Sequence, residues 1–291
     1  MYHKTLGGYK IFNIFNYTFL IAMAILCVLP LIHVLAVSFS GKEAASANII
    51  NLLPVDFTLE AYQKTFDNPL FLQTLYNSFY RTTLGTFITM TVLVFAGYAL
   101  SKEFKGRNFY MWFIVFTMLF SGGMIPSYIL VSNLNLTNTV WALVLPGGVV
   151  NAFNLILLMN FFKTIPKSLE EAAKIDGAGF FRILFQIYLP LSMAGIATIT
   201  LFTMVFHWNS WFDGLIYMRE TSNYPLATFL QTIVVQQDMS KISTNPEDLE
   251  NLSQRTVKSA QIFIGALPIL LVYPFLQKYF VKGIVMGSIK E

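Results

Sequence analysis

The chain has 291 residues, of which 55% are hydrophobic and 12% are charged. Soluble domains carry about 25% charged residues, so this composition excludes an ordinary soluble globule and a disordered chain. The formal net charge of +4 comes with basic residues in short clusters between apolar runs, which excludes the basic face of a nucleic-acid-binding domain.

Six apolar segments follow one another along the chain. A helix needs about 20 mostly apolar residues to cross a hydrocarbon core about 30 Å thick. The charge-free stretch 108–162 is too long for one crossing and is divided by the polar sequence 132–138, which is typical of a loop. The stretch 221–237 is excluded because Pro225, Asn223 and three Gln interrupt its apolar part. The predicted transmembrane helices are about 14–37, 76–100, 109–131, 139–162, 188–212 and 259–281.

These segments predict an all-α integral membrane protein with one transmembrane domain over residues 1–291. Strands of a membrane barrel alternate apolar and polar residues, whereas these runs are continuously apolar. The first run is longer than the apolar core of a signal peptide and lacks a small-residue cleavage site, so we expect it to remain as the first span.

The distribution of lysine and arginine predicts the orientation. With six spans both termini lie on one side, and that side holds 12 of the 19 basic residues, in the two tails and in the loops after spans two and four. The other side has two long external loops, about 38–75 and 213–258. The positive-inside rule therefore predicts a multi-pass protein of the cell membrane, with both termini and the loop 163–187 in the cytoplasm.

Two spans contain residues that are unusual in a transmembrane helix. Gly122, Gly123 and Pro126 would loosen span three, and we expect a broken helix packed on its neighbours, with a hinge as the alternative. Arg81 is the only strong ion near a span interior. We expect its side chain to snorkel outward from span two.

The internal loop 163–187 carries the most informative pattern. Ser168 followed by Glu171 has the spacing of a capping box, which predicts the start of a short helix. The small and apolar side chains then fall on one helical face: Leu169, Ala172 and Ala173. Gly177 after Asp176 is a natural stop for this helix.

A second amphipathic stretch begins near Phe180, and Pro190 marks the start of the next span. The residues alone predict two short helices, at roughly right angles, on the cytoplasmic face. They leave two interpretations open, because such helices can receive a partner or can be a surface-lying connector between two spans.

The same loop resembles the EAA motif of ABC-importer permeases. Its matching positions are Glu171, Ala172, Ala173, Gly177, Ile187, Leu189 and Pro190. The sequences 207–212, 224–226 and 277–283 resemble the carbohydrate branch of that family, the maltose-permease type, and most closely members that import oligosaccharides or polysaccharide fragments. One departure is Met193-Ala194, where many relatives carry a proline. We expect this departure to soften a kink in span five.

The resemblance implies the architecture of a type I ABC importer permease with a cytoplasmic coupling-helix loop. In that family the loop docks in a groove on an ATPase. The resemblance implies a set of coupling positions, which face the ATPase groove or tie the loop to span five. They are Glu171, Ala172, Ala173, Asp176, Gly177, Ile187, Leu189 and Pro190. The implied partners are a second homologous permease subunit, two ATPase subunits that hold ATP and Mg, an extracellular solute-binding protein and a carbohydrate substrate.

No catalytic, cofactor or metal site is predicted in this chain. It has no Gly-x-x-x-x-Gly-Lys-Ser/Thr loop for ATP, and it has three His, no His-Glu-x-x-His pattern and one cysteine, Cys27. Two alternatives are a stand-alone ion-coupled carrier, which typically places an acid or base within a span, and a membrane enzyme, which needs a cluster of catalytic ions at one membrane face. Arg81 alone argues against the first, and the scattered acids and histidines argue against the second.

Five residues are candidates for the translocation path. Asn151 and Asn154 lie within span four, where a buried amide must face protein or water. Trp208, Asn209 and Trp211 could stack a sugar at the outer mouth or form an interfacial aromatic belt. In the external loop an acidic patch either meets the solute-binding protein or belongs to a solvated connector: Glu247, Asp248 and Glu250.

Overall fold

A computed structural model describes residues 7–240 and 255–288. The regular elements in this part of the chain are helical, which confirms the all-α prediction. The helices in chain order are α1 (Gly7–Ser38), α2 (Lys42–Ser46), α3 (Glu60–Phe66), α4 (Pro69–Ser101), α5 (Arg107–Leu119), α6 (Met124–Asn133), α7 (Val140–Gly148), α8 (Ala152–Lys163), α9 (Lys167–Ile175), α10 (Phe180–Leu191), α11 (Met193–Asn209), α12 (Phe212–Tyr217), α13 (Leu226–Ser240) and α14 (Arg255–Ser288).

Among the described residues, three helices are long and apolar enough to cross a membrane by themselves. They are Tyr9–Ser38 within α1, the whole of α4, and Arg255–Phe275 within α14. Three bent pairs reach the required length together: α5 with α6, α7 with α8, and α10 with α11. The predicted six crossings therefore require each bent pair to be counted as one. The short α13 contains an apolar helical segment, Leu226–Val235, that is too short to cross alone.

The breaks within the bent pairs have local causes. Between α5 and α6 the axis turns by 110°, where Phe120 is extended and Gly123 has a φ of +86° that favours glycine. This agrees with the predicted loosening of span three. Between α10 and α11 the axis turns by 83° at Ser192, whose φ of −101° and ψ of 16° interrupt the helix. The bend is present although Met193-Ala194 stand where many relatives carry a proline, and the expected softening relative to those relatives stays a prediction.

The described part of the chain forms two compact units, and the first comprises its residues up to Phe71 together with its residues within Thr232–Ala266. The end of α1, α2 and the loop that follows enclose a small apolar cluster: Ala36, Val37, Ala44, Ala45 and Ile50. The Phe39 ring stacks on Phe57 and lies beside Tyr62. At the start of α14, the Arg255 guanidinium donates to the Ala45 carbonyl at 3.0 Å.

The second unit, Leu72–Gln231 with the residues from Leu267, contains the larger core. This core lies where α4, α8, α10 and α11 meet, and its buried side chains are Leu93, Tyr98, Leu100, Leu155, Leu158, Met159, Phe162, Ile165, Ile183, Leu184, Tyr188 and Ile199. Small residues allow close helix contacts around it. Gly85 on α4 faces the ring of His207 on α11, and His207 is only 1% exposed.

We predict that Gly85→Ala destabilises the fold. An added Cβ would lie 2.6 Å from the His207 ring, which is 1% exposed, so the ring or the two helices must shift. Overpacking of this kind typically costs about 1–3 kcal/mol, which thermal unfolding of the purified protein in one detergent would detect as a lower Tm. Gly122→Ala is the matched control, because no heavy atom lies within 4 Å of its added Cβ. Equal Tm values for the two variants would contradict the close contact.

Candidate functional site

The helix that carries the EAA-like residues begins two residues earlier than a capping box at Ser168 predicts. α9 starts at Lys167, after Pro166 with a φ of −57°, and no side chain caps its first turn. The predicted capping box is therefore wrong. Pro166, with an extended ψ of 131°, takes the N-cap position, which places Ser168 inside the helix rather than before it.

The end of α9 follows the sequence prediction. Gly177 has a φ of +78°, a left-handed conformation that side-chain-bearing residues resist. Its N–H donates to the Lys174 carbonyl at 3.0 Å, and the Ala178 N–H donates to the Ala173 carbonyl at 2.9 Å. These two hydrogen bonds form a Schellman motif, so Asp176 and Gly177 fix the turn that leads from α9 to α10.

One side of α9 is exposed, and it includes large apolar side chains. Glu171 and Ala172 are exposed, and Ile175 is 87% exposed. Phe180, at the start of α10, is also exposed. We call Glu171, Ala172, Ile175 and Phe180 the exposed α9 surface. Apolar side chains grouped this way, with polar residues around them, are typical of a protein interaction site.

The other side of α9 packs inward. Ala173, which the sequence groups with Leu169 and Ala172 on one face, is partly buried against the core, whereas Leu169 and Ala172 are exposed. Ile187 and Leu189 are also partly buried against that core. Because α9 and α10 rest on the same core, the loop is not a free connector.

The residue that fixes α9 most directly is Glu170, which sequence reasoning missed in favour of Glu171. Glu170 is 9% exposed. Its Oε2 accepts a hydrogen bond from the Tyr188 hydroxyl at 2.7 Å and another from the Lys102 ammonium, and its Oε1 pairs with Lys174 at 2.9 Å. We call Lys102, Glu170, Lys174 and Tyr188 the Glu170 cluster. The Glu170–Lys174 spacing of four residues was its one signal in the sequence.

This cluster stabilises the ionised form of the Glu170 carboxyl. Burial by itself raises the pKa of the Glu170 carboxyl, but the hydrogen bonds from Lys102, Lys174 and Tyr188 outweigh it and lower the pKa to about 2. The Lys102 ammonium also lies 3.8 Å from the centre of the Tyr188 ring and 4.4 Å from that of Tyr98. Cation–π contacts of this kind hold a desolvated lysine in place.

Arg81, in the first half of α4, does not snorkel outward, so that expectation is wrong. Its side chain is fully buried, and its Nη1 donates to the Ser210 carbonyl at 2.9 Å and to Asp213 at 3.2 Å, while Nη2 donates to Asp213 and to the Leu143 carbonyl at 3.3 Å. A guanidinium can stay buried because these acceptors replace water. Asp213 was missed because it lies 132 residues from Arg81.

Beside this ion pair lies a cavity of about 660 Å³. Among its lining residues are Asn209 and Trp211, two of the five path candidates, together with Ser127 and Tyr217. Hydroxyl, amide and aromatic groups in one concave surface are suited to a sugar, since they offer hydrogen bonds and flat apolar faces. We call it the Asn209 cavity.

The other three path candidates have different positions. Asn151 caps α8, because its Oδ1 accepts from the Asn154 N–H at 2.9 Å, and Asn154 is itself buried. Trp208 is buried and packs edge-on against Phe79, with ring centres 5.1 Å apart. Within the described residues the structure therefore brings Asn209 and Trp211, but not these three, to one cavity.

In residues 7–240 and 255–288 no group of three or more His, Cys, Asp or Glu is placed to hold a metal ion. The predicted lack of a cofactor stays a prediction. The acidic patch that could meet a binding protein, at Glu247, Asp248 and Glu250, lies outside the described residues.

We predict that the contribution of Glu170 to stability depends on pH in one direction. The carboxyl has a pKa lowered from 4.5 to about 2, so its contribution is complete above its ordinary pKa and is lost as pH falls toward 2. The Tm of the wild type should exceed that of Glu170→Gln by a constant margin from about pH 8 to about pH 5 and by a shrinking margin below about pH 4.5. A margin that grows on acidification would contradict the assigned charge.

We also predict strong coupling between Arg81 and Asp213. Arg81→Met leaves a carboxylate without its cation, and Asp213→Leu leaves a buried guanidinium without its anion, so each should cost about 3–5 kcal/mol. The double variant Arg81→Met/Asp213→Leu removes both charges and should recover most of that loss in the same thermal unfolding assay. Losses that simply add in the double variant would show that the two side chains do not interact.

Comparisons with known proteins place the chain in a family. The family model described as "Binding-protein-dependent transport system inner membrane component" matches residues 90–286. The chain is 42% identical over 287 residues to the polygalacturonan/rhamnogalacturonan transport system permease protein YtcP of Bacillus subtilis, covering 97% of this chain and 99% of that protein. It is 39% identical to Protein LplC of Bacillus subtilis, covering 99% of this chain and 97% of that protein.

A solved structure is similar over almost the whole chain. It is the crystal structure of a bacterial ABC transporter involved in the import of the acidic polysaccharide alginate, with a TM-score of 0.84, 33% identity and coverage of 96% of this chain and 99% of that one. These matches confirm the resemblance to ABC-importer permeases and the prediction of a transport subunit rather than an enzyme. The chain therefore belongs to the family of inner membrane components of binding-protein-dependent transport systems.

Proposed function

We propose that this chain is one of two membrane subunits of an ATP-driven importer of oligosaccharides. The observation that carries the proposal is the exposed α9 surface, which presents Glu171, Ala172 and Ile175 outward on a helix whose other side is fixed to the core. The substrate class rests on relatives whose names refer to polygalacturonan, rhamnogalacturonan and alginate.

Three kinds of partner subunit complete the proposed complex. A second homologous permease subunit completes the path, two ATPase subunits bind ATP and Mg, and a solute-binding protein delivers the carbohydrate from outside. Both termini and α9 lie in the cytoplasm, in line with the basic residues of the loops after α4 and α8. This chain binds no cofactor itself, so the energy comes from the ATPase subunits.

The proposed mechanism is a movement passed along the chain rather than chemistry within it. Closure of the ATPase pair on ATP displaces α9, and the Schellman turn at Gly177 passes the displacement to α10. The bend at Ser192 connects α10 to α11, which ends at Asn209 beside the cavity. Such a path suits a switch between two discrete packings, inward-facing and outward-facing.

We assign the contact with the sugar in this subunit to the Asn209 cavity. The Asn209 amide would exchange hydrogen bonds with sugar hydroxyls, and the Trp211 ring would stack on an apolar sugar face. We assign structural roles to the other three candidates. Asn151 caps α8, Asn154 is buried, and Trp208 is buried against Phe79.

The test of this function is reconstitution. The chain, its second permease, the ATPase subunits and the binding protein are placed in liposomes with radiolabelled oligogalacturonide, and uptake is measured with and without ATP. We expect uptake only when all four components and ATP are present. Uptake by this chain alone, driven by a proton or sodium gradient, would contradict the proposal and support a secondary carrier.

We predict that Gly177→Asp blocks this ATP-dependent uptake while the protein still inserts into the membrane. Residue 177 has a φ of +78°, and a side chain there costs about 1–2 kcal/mol, so the turn between α9 and α10 must change. Gly179→Asp is the matched control, because it lies in the same turn at a φ of −76° with no heavy atom within 4 Å of its added Cβ. Equal uptake by the two variants would contradict the role of the turn.

A further inference from the structure

We infer that Glu170 is the positioning residue that joins the ATPase-facing helix α9 to the transmembrane bundle. In this inference, Glu170 transmits the movement of α9 to the end of α4 and to α10, while its neighbour Glu171 faces the partner. The inference deepens the proposed function and rests on it, since it concerns how the same loop couples ATP hydrolysis to transport.

The hydrogen bonds of Glu170 come from two different elements of the bundle. Lys102 directly follows α4, and Tyr188 lies near the end of α10, yet both donate to the same Oε2 atom of Glu170. The third donor, Lys174, lies one turn along α9 itself and holds Oε1 at 2.9 Å. A single carboxylate therefore links α9, α4 and α10, and each of these elements would have to follow if α9 were displaced.

The surroundings make this link stiff. Beneath the cluster, the rings of Tyr98, Phe162 and Tyr188 pack edge-on against one another, with centres 4.9 to 6.4 Å apart. Lys102 lies over two of these rings, so neither it nor Tyr188 can swing away from Glu170 without breaking this packing. Interior packing of this kind passes strain on rather than absorbing it.

The apolar contacts of α9 cannot replace this link. Ala173 also touches the core, but it offers a single methyl group, and the hydrophobic effect that holds it there is non-directional. Hydrogen bonds to a charged group, in contrast, depend steeply on distance and angle. The two adjacent glutamates therefore have different roles. Glu170 is buried and hydrogen-bonded to the bundle, whereas Glu171 is exposed and free to contact the partner.

The experiment compares Glu170→Gln with Glu171→Gln in the reconstituted importer. Two quantities are measured, namely the amount of ATPase retained by the purified membrane subunits and the number of sugars transported per ATP hydrolysed. For Glu170→Gln we expect retained ATPase and a fall of at least about tenfold in sugars per ATP, since losing a charged hydrogen bond shifts an equilibrium by about that factor. For Glu171→Gln we expect reduced ATPase retention instead.

Two further variants distinguish positioning from folding. Tyr188→Phe keeps the ring and its packing but removes the hydroxyl, and it should also lower sugars per ATP without lowering ATPase retention. Adding Lys102→Met to Glu170→Gln should cause no further loss, because residues that act as one unit are not additive. If Glu170→Gln yields no intact complex, the Tyr188→Phe result decides the question.

Normal sugars per ATP in assembled Glu170→Gln, or in Tyr188→Phe when the first variant does not assemble, would overturn the inference while leaving the proposed function intact. A wild-type complex that transports without ATP would overturn the proposed function, and the inference with it. The two failures are therefore distinguishable from the same set of samples.

Discussion

A buried carboxylate that accepts hydrogen bonds from three side chains is the interaction on which the placement of α9 depends. Glu170 is desolvated, and burying an unpaired charge is costly, so its position is defined by where Lys102, Lys174 and Tyr188 can reach it. The partners come from the end of α4, from α9 and from α10. That constraint holds one side of α9 inward, and it leaves Glu171 and Ile175 facing out.

A second ion pair in the same unit, between Arg81 and Asp213, involves the first half of α4. Arg81 and Lys102 are 21 residues apart in sequence, which corresponds to about 31 Å along a helix, close to the thickness of a hydrocarbon core. Both cations are paired with an acid from a distant segment, Asp213 in one case and Glu170 in the other. Between them, Gly85, Leu93 and Tyr98 provide close and apolar contacts. Helix α4 thus has one ion pair in its first half and a second just beyond its last residue.

Sequence reasoning predicted the features that depend on local chemistry. Continuous apolar runs gave the all-α class, Gly123 marked the break between α5 and α6, and Gly177 marked the end of α9. It failed where distant residues decide the outcome. The burial of Arg81 depends on Asp213, and the inward turn of Glu170 depends on Tyr188 and Lys102, none of which is adjacent in sequence. The predicted capping box was wrong because Pro166, two residues before Ser168, takes the N-cap position.

The most direct test of the account is a structure of the complete complex with its ATPase subunits bound. The proposed function and the inference about Glu170 together require Glu171 and Ile175 to be buried against an ATPase subunit, with the carboxylate of Glu170 still bonded to Lys102 and Tyr188. An ATPase seated elsewhere on the membrane subunits, or a Glu170 side chain turned away from both partners and toward the ATPase, would contradict it.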